Sequence, residues 1–335
     1  MMIDLAARLK DWTNLERVMD SQTVEIINRV LPILLLLLLG HWTRRTGFLN
    51  DELVDGLRKI VVNIALPAVL FVSFLTVELK SAFLALAVFI FSLCVALYIL
   101  GRFLGPRVQP DHPYFKFPMT GFEYGMLGVS LFGSAYGLAN IGIFAVVDLG
   151  HELFIWFVFL PLLLRERDGI QKISDLLRSF LSSPVIIAIL LSLLFNVLGW
   201  QESLYTLPVT GGIMATLGFL ANLTIPLILI IVGYGIKLDR KGLGDASRLV
   251  AIRLAILLPL IFVLNTFLIR NLLGLNNAYE TALFTLLVLP PPFIIPLFMR
   301  PELLEEKRYV NNVLTLYTVV SIILFAGYFI LNPAL

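Results

Sequence analysis

Asp148, His151 and Glu152 fall at i, i+3 and i+4 in an otherwise apolar stretch, so a helix would set all three on one face. An imidazole between two carboxylates is suited to relaying protons, and three such groups are costly in lipid unless they face a polar interior. The trio is also a candidate metal site, although one imidazole with two acids lacks the ligand pair of an H-E-x-x-H motif. A structural hydrogen-bond network is the remaining reading. A fourth ionisable group, Glu123, sits in Thr120-Gly121-Phe122-Glu123-Tyr124-Gly125-Met126-Leu127-Gly128, with Gly133 and Gly137 beyond it. Glycine at this density weakens a helix and lets another backbone come close, so Gly125 and Gly128 are candidate substrate-site positions. Arg253, again among apolar neighbours, is a candidate counter-charge for the trio or a clamp for a substrate carboxylate.

Two further patterns expose backbone groups. Leu289-Pro290-Pro291-Pro292-Phe293-Ile294-Ile295-Pro296 cannot be one continuous helix. Unwound backbone at membrane depth is tolerated where it is buried in protein or lines a cavity, which makes Pro290, Pro291 and Pro292 part of the candidate substrate site. From Phe293 the sequence predicts a restarted half-helix whose N-terminus would favour an anion. Asn63 precedes Pro67 by four residues, and Asn222 precedes Pro226 by the same interval. Proline has no N–H, so each frees the carbonyl of its asparagine beside a side-chain amide, an oxygen-rich spot for a cation or polar substrate. An asparagine bonding across a helix interface would look the same.

These residues need helices to position them, and lipid around the helices. Of the residues, 59% are apolar and 14% charged, more apolar surface than one soluble core can hide. Ten apolar stretches are long enough to be candidate spans, near 23–42, 56–78, 81–104, 117–136, 139–164, 184–199, 209–236, 248–272, 279–299 and 309–332. Spans four and nine are the poorest as continuous helices. Eighteen Lys and Arg fall in the loops on one side of this arrangement and six on the other, with Arg253 inside span eight. The positive-inside rule then puts both termini outside the cytoplasm. Residues 1–22 carry charges of both signs, with Leu5, Leu9, Trp12, Leu15 and Met19 at helical spacing. They read as an amphipathic surface helix or a weakly ordered extension, and they lack the apolar core of a signal peptide. Residues 165–183 read as a cytoplasmic linker helix between 23–164 and 184–335. The two Asn-x-x-x-Pro motifs lie in spans two and seven, five helices apart. An odd offset inverts the second half relative to the first, an arrangement typical of transporters. The lone Cys94 allows no internal disulfide. The net charge of +2 and the absence of basic runs interleaved with aromatics argue against nucleic acid. No G-x-x-x-x-G-K-[ST] loop is present to drive ATP-powered pumping.

Leu31-Pro32 to Gly40, Arg44-Arg45-Thr46-Gly47-Phe48-Leu49 and Asn63 to Phe71 resemble the opening of the auxin efflux carrier family. Ser183-Pro184-Val185-Ile186-Ile187-Ala188, Leu207-Pro208, Pro226 and Gly233 are similar to the start of that family's second half. The resemblance runs from about residue 25 to the C-terminus. It implies an all-α membrane protein of ten helices in two inverted five-helix repeats, with helices four and nine broken and crossing at the centre. It further implies secondary transport of small organic anions, malonate and malate among those assigned to bacterial members. The bile-acid/sodium symporters resemble this architecture too, which keeps sodium beside the proton as a coupling ion. Where the family commonly has an asparagine near Glu123 and proline in the fourth-helix break, this chain has a carboxylate and glycines. A carboxylate there favours proton coupling or a cationic group on the substrate.

The expectation is therefore a multi-pass protein of the cell (inner) membrane that carries a carboxylate-type substrate by alternating access, with no cofactor beyond a coupling ion. Glu123, Asp148, His151 and Glu152 would serve coupling. Asn63, Pro67, Gly125, Gly128, Asn222, Pro226, Pro290, Pro291, Pro292 and Arg253 would shape the substrate site. Expected partners are the substrate, the bilayer and, as one option, a second copy of the chain. Two other classes fit the same residues. A channel-like or receptor-like protein would bind a ligand without coupled flux, and an intramembrane metal-dependent hydrolase would use Asp148, His151 and Glu152.

Overall fold

The computed structural model describes residues 21–77, 80–168, 178, 180–300 and 302–335. The expected surface helix over 1–22, but for Ser21 and Gln22, and most of the expected linker helix lie outside the described residues. Among the described residues the chain is helical, with no strand. We label the main helices α1 (Ser21–Arg45), α2 (Asp51–Phe74), α3 (Ala82–Val108), α4 (Val129–Tyr136), α5 (Leu138–Arg167), α6 (Pro184–Val197), α7 (Pro208–Gly235), α8 (Leu243–Leu272), α9 (Asn277–Val288) and α10 (Leu304–Leu331). Each lies within or across one of the ten apolar stretches. Six of them, α2, α3, α5, α7, α8 and α10, are long and apolar enough to cross a membrane. The protein is thus an all-helical, multi-pass membrane protein. Exposed Leu31, Leu35 and Leu38 on α1, and Leu190, Leu191 and Leu194 on α6, give it an apolar outer surface suited to lipid.

Local chemistry explains the irregularities. Asn50 caps α2 by accepting the Leu53 N–H at 2.8 Å, and Asp51 and Glu52 occupy the positive end of the helix. Inside α2 a π turn, Val61–Ala65, ends two residues before Pro67. Inside α5 another, Ile155–Phe159, ends two residues before Pro161. In both, the proline ring pushes away the carbonyl four residues back, and the preceding turn widens to reseat its hydrogen bonds. In α7 the break is sharper: the helix ends at Asn222 and restarts at Thr224, placing Pro226 in a first turn where its missing N–H costs nothing.

Helix packing follows a paired scheme. α1 lies on the second half of α7, and α2 lies on α6; α3 packs on α5, and α8 on α10. Lipid tails are as apolar as leucine, so these contacts depend on close fit more than on water exclusion. The α1–α7 contact is close enough that a Cβ on Gly40 would lie 2.8 Å from the Tyr234 nitrogen. A Cβ on Gly233 would lie 2.8 Å from Leu37 Cα. At the centre, Phe122, Phe132, Phe144, Phe154 and Tyr317 are fully buried around two stretches that are not helical at all.

Candidate functional site

The first non-helical stretch is 121–123, between the turns of 113–120 and a π turn, Tyr124–Gly128, that runs into α4. The second is 289–292, directly after α9. Sequence accounts for both. Three consecutive prolines cannot donate helical hydrogen bonds. Gly121 adopts φ +70°, and a Cβ there would stand 2.7 Å from Pro292 Cγ, so only glycine lets the two backbones meet. A Cβ on Gly128 would likewise sit 2.7 Å from Leu289 Cδ1. The expected half-helix after Phe293 does not form: only one 3₁₀ turn, Ile295–Leu297, follows the break. The bonds beyond it are few: the Leu297 and Phe298 N–H groups both reach back to the Ile294 carbonyl, at 3.1 and 3.3 Å.

Backbone groups freed by the breaks must find partners inside a buried site, and here side chains supply them. Glu123 joins the two stretches. Its N–H donates to the Pro290 carbonyl at 2.8 Å, and its Oε2 accepts the Phe293 N–H at 2.6 Å. Its Oε1 accepts the Met126 N–H at 3.2 Å, capping the turn into α4. Arg253 of α8 is fully buried. It donates from Nη1 to the Pro118 carbonyl and from Nη2 to the Gly121 carbonyl, both at 2.5 Å, with Leu289 O at 3.5 Å. Its guanidinium also lies over the Phe122 and Tyr317 rings, 5.0 and 5.1 Å from their centroids. Thr120 donates to Cys94 O at 2.8 Å, and Ser321 donates to Val288 O at 2.6 Å, tying the two breaks to α3 and α10.

α5 supplies the ionisable face. His151 Nε2 accepts the Phe122 N–H at 2.8 Å, so that nitrogen carries no proton, and Nδ1–H donates to Asp148 Oδ1 at 2.7 Å. The ring is therefore neutral and tied at both ends. Glu152, half-buried, accepts from Trp156 Nε1 at 2.8 Å. The ligand atoms of Asp148, His151 and Glu152 lie within 4.8 Å of one another, close enough to hold a metal ion. A metal would have to take a histidine lone pair, and in this arrangement Phe122 holds the only free one. The trio thus fits a metal only if the 121–123 stretch lets go of His151.

Of the residues singled out by sequence, Glu123, Asp148, His151, Arg253, Gly128 and the three prolines are buried together at the crossing, with Gly125 half-buried beside them. Arg253 makes no ion pair with the α5 acids among the described residues; its partners are carbonyls. Asn63 and Asn222 are exposed, and the Asn63 amide donates to its own helix, at Lys59 O. No hydrogen bond joins either asparagine to the crossing among the described residues. α2 turns Val61, Ala65 and Leu66 inward and Asn63 outward. Pro67 and Pro226 act on the helix course of α2 and α7. Sequence reasoning overlooked Thr120, Ser321 and Tyr317. The usable signal was the need for donors: glycine and proline breaks free carbonyls, and hydroxyls or a buried arginine must meet them.

An apolar helical shell folded around two broken segments and a buried ionisable centre is an arrangement that membrane transport proteins use. Comparison with known proteins agrees: residues 25–329 match the membrane transport protein family, the auxin-efflux-carrier-like transporters, and the chain belongs to that family. It is similar to an uncharacterized transporter of Methanocaldococcus jannaschii, with 28% identity over 228 residues, 64% of this chain and 69% of that one. It is also similar to an uncharacterized transporter of Methanothermobacter thermautotrophicus, with 27% identity over 236 residues, 68% of this chain and 74% of that one.

Proposed function

We propose that this protein is a secondary active transporter that carries a small organic acid by alternating access, coupled to a proton or sodium gradient, with the crossing of the two broken segments as its substrate centre. One observation carries the reading: the two segments are bonded directly to each other through Glu123, in a buried core, beside the Asp148–His151 pair. Backbone held by ionisable side chains can be rearranged by a proton or a ligand that competes for those bonds. Ten spans in two inverted five-helix repeats are part of the same proposal. Support comes from the Asn-x-x-x-Pro motifs in α2 and α7 and from the packing, since α1 on α7 and α3 on α5 repeat, five helices on, as α6 on α2 and α8 on α10. Coupling falls to Glu123, Asp148, His151 and Glu152. Gly125, Gly128, Pro290, Pro291 and Pro292 shape the site, and Arg253 holds both segments in place.

Counterflow tests the carrier reading. Proteoliposomes preloaded with unlabelled malate should take up labelled malate faster than empty ones, because a carrier returns loaded more readily than empty. Equal uptake across malate, malonate, lactate and benzoate, with no trans-stimulation by any, would leave a channel or a receptor in its place.

A further inference from the structure

Each break leaves a backbone N–H near the crossing, at Met126 and at Phe293, and both are filled by one side chain. Glu123 places one carboxylate oxygen on each, at 3.2 and 2.6 Å, and is itself only 8% exposed. The chain thus seats its own carboxylate where a carboxylate-bearing substrate would find its donors. In the same turn the Tyr124 hydroxyl is buried, at 6% residue exposure, and lacks a hydrogen-bond partner among the described residues. A hydroxyl buried in this way costs free energy unless something transient satisfies it, which marks it as a donor for a ligand oxygen.

We propose, resting on the organic-acid reading above, that Glu123 is a tethered competitor for the substrate carboxylate, so that an anion can hold the Met126 and Phe293 N–H groups only after Glu123 has taken up a proton. Two carboxylates cannot share two donors, and in a site of low dielectric their repulsion is barely screened. A proton on Glu123 removes both obstacles. It cancels the repulsion, and it turns the side chain from an acceptor into a neutral acid that can leave its donors. The proton comes from water on the side where the substrate enters and returns to water when Glu123 reclaims the two N–H groups. One proton accompanies each carboxylate, and a monocarboxylate would cross without net charge. The other charged or titratable groups around Glu123 are Arg58 on α2, Asp148, His151 and Glu152 on α5, Arg253 on α8, and Tyr124 beside it. The 289–293 stretch adds backbone groups only. A side-chain amide at position 123 would carry no charge and only one acceptor oxygen, so the carboxylate is what makes the proton compulsory.

The test is equilibrium binding of labelled lactate, benzoate and malate to the purified full chain, from acid to neutral pH and above the acids' own titration. Wild type should bind at least one of them, with affinity falling about tenfold per pH unit once Glu123 is ionised. Glu123→Gln should bind the same acid with no such slope, and at neutral pH more tightly than wild type. Glu123→Asn serves as a second variant if the glutamine form does not elute as a folded species. A folded variant that keeps the full wild-type slope overturns the assignment of Glu123 and leaves the organic-acid reading standing. If neither wild type nor variant binds any of the three acids at any pH, the organic-acid reading itself falls.

Discussion

Replacing Arg253 separates a structural strut from a substrate clamp, two roles that the sequence alone leaves open. The guanidinium satisfies the Pro118 and Gly121 carbonyls at 2.5 Å each, in a fully buried site. Arg253→Met keeps the bulk and removes both donors. Each orphaned buried carbonyl costs about 1–3 kcal/mol, so the variant should lose roughly 4 kcal/mol. Arg253→Lys keeps the charge, but its compact ammonium lacks the planar fork that reaches two carbonyls at once, so about half of that loss should remain. The assay is unfolding of purified protein in mixed micelles by a graded denaturing detergent, followed by circular dichroism. The order should be wild type, then Lys, then Met. A Met variant within about 0.5 kcal/mol of wild type that has lost substrate binding would refute the strut and make Arg253 a clamp.

Three further outcomes follow from the same geometry. Gly121→Ala should destabilise by about 2–4 kcal/mol, because it combines a left-handed backbone with a Cβ 2.7 Å from Pro292 Cγ; an unchanged unfolding midpoint would contradict the contact. Gly233→Leu should prevent α1 from seating on α7 and be read as loss of monodisperse protein on size exclusion, whereas Gly235→Leu, which faces open space, should not. Because Phe122 and Asp148 already occupy both nitrogens of His151, a chelator should leave transport unchanged. Inhibition reversed by an added divalent metal would favour the hydrolase reading or another metal-dependent one.

Much of the scaffold was legible because its causes are local. Each apolar stretch holds a helix, and Pro290, Pro291 and Pro292 fix the second break by removing three donors in a row. The spacing of Asp148 and His151 placed them on one face, where they are indeed bonded. What stayed hidden depends on segments distant in sequence. The partners of Arg253 lie 135 and 132 residues away, and no periodicity points to them. The tautomer of His151 is set by the Phe122 N–H, which is free only because Gly121 turns the chain with a positive φ. The half-helix expected after Phe293 is replaced by one 3₁₀ turn, Ile295–Leu297, and nothing in the local pattern of the sequence separates the two outcomes. The asparagines of the repeated motif were read as site residues from their chemistry. Which face of α2 points inward is decided by packing against α6 and α7, and that face carries Leu66.

The central claim is that a gradient drives transport through the crossing of the two broken segments. Accumulation of labelled carboxylate in proteoliposomes, under a pH gradient or a sodium gradient imposed separately, tests it most directly. Wild type should concentrate the label above its external level with one of the two gradients. Glu123→Gln should equilibrate the label without concentrating it under either gradient. Concentration by the variant equal to that of wild type, or failure of wild type to respond to either gradient, would contradict the account.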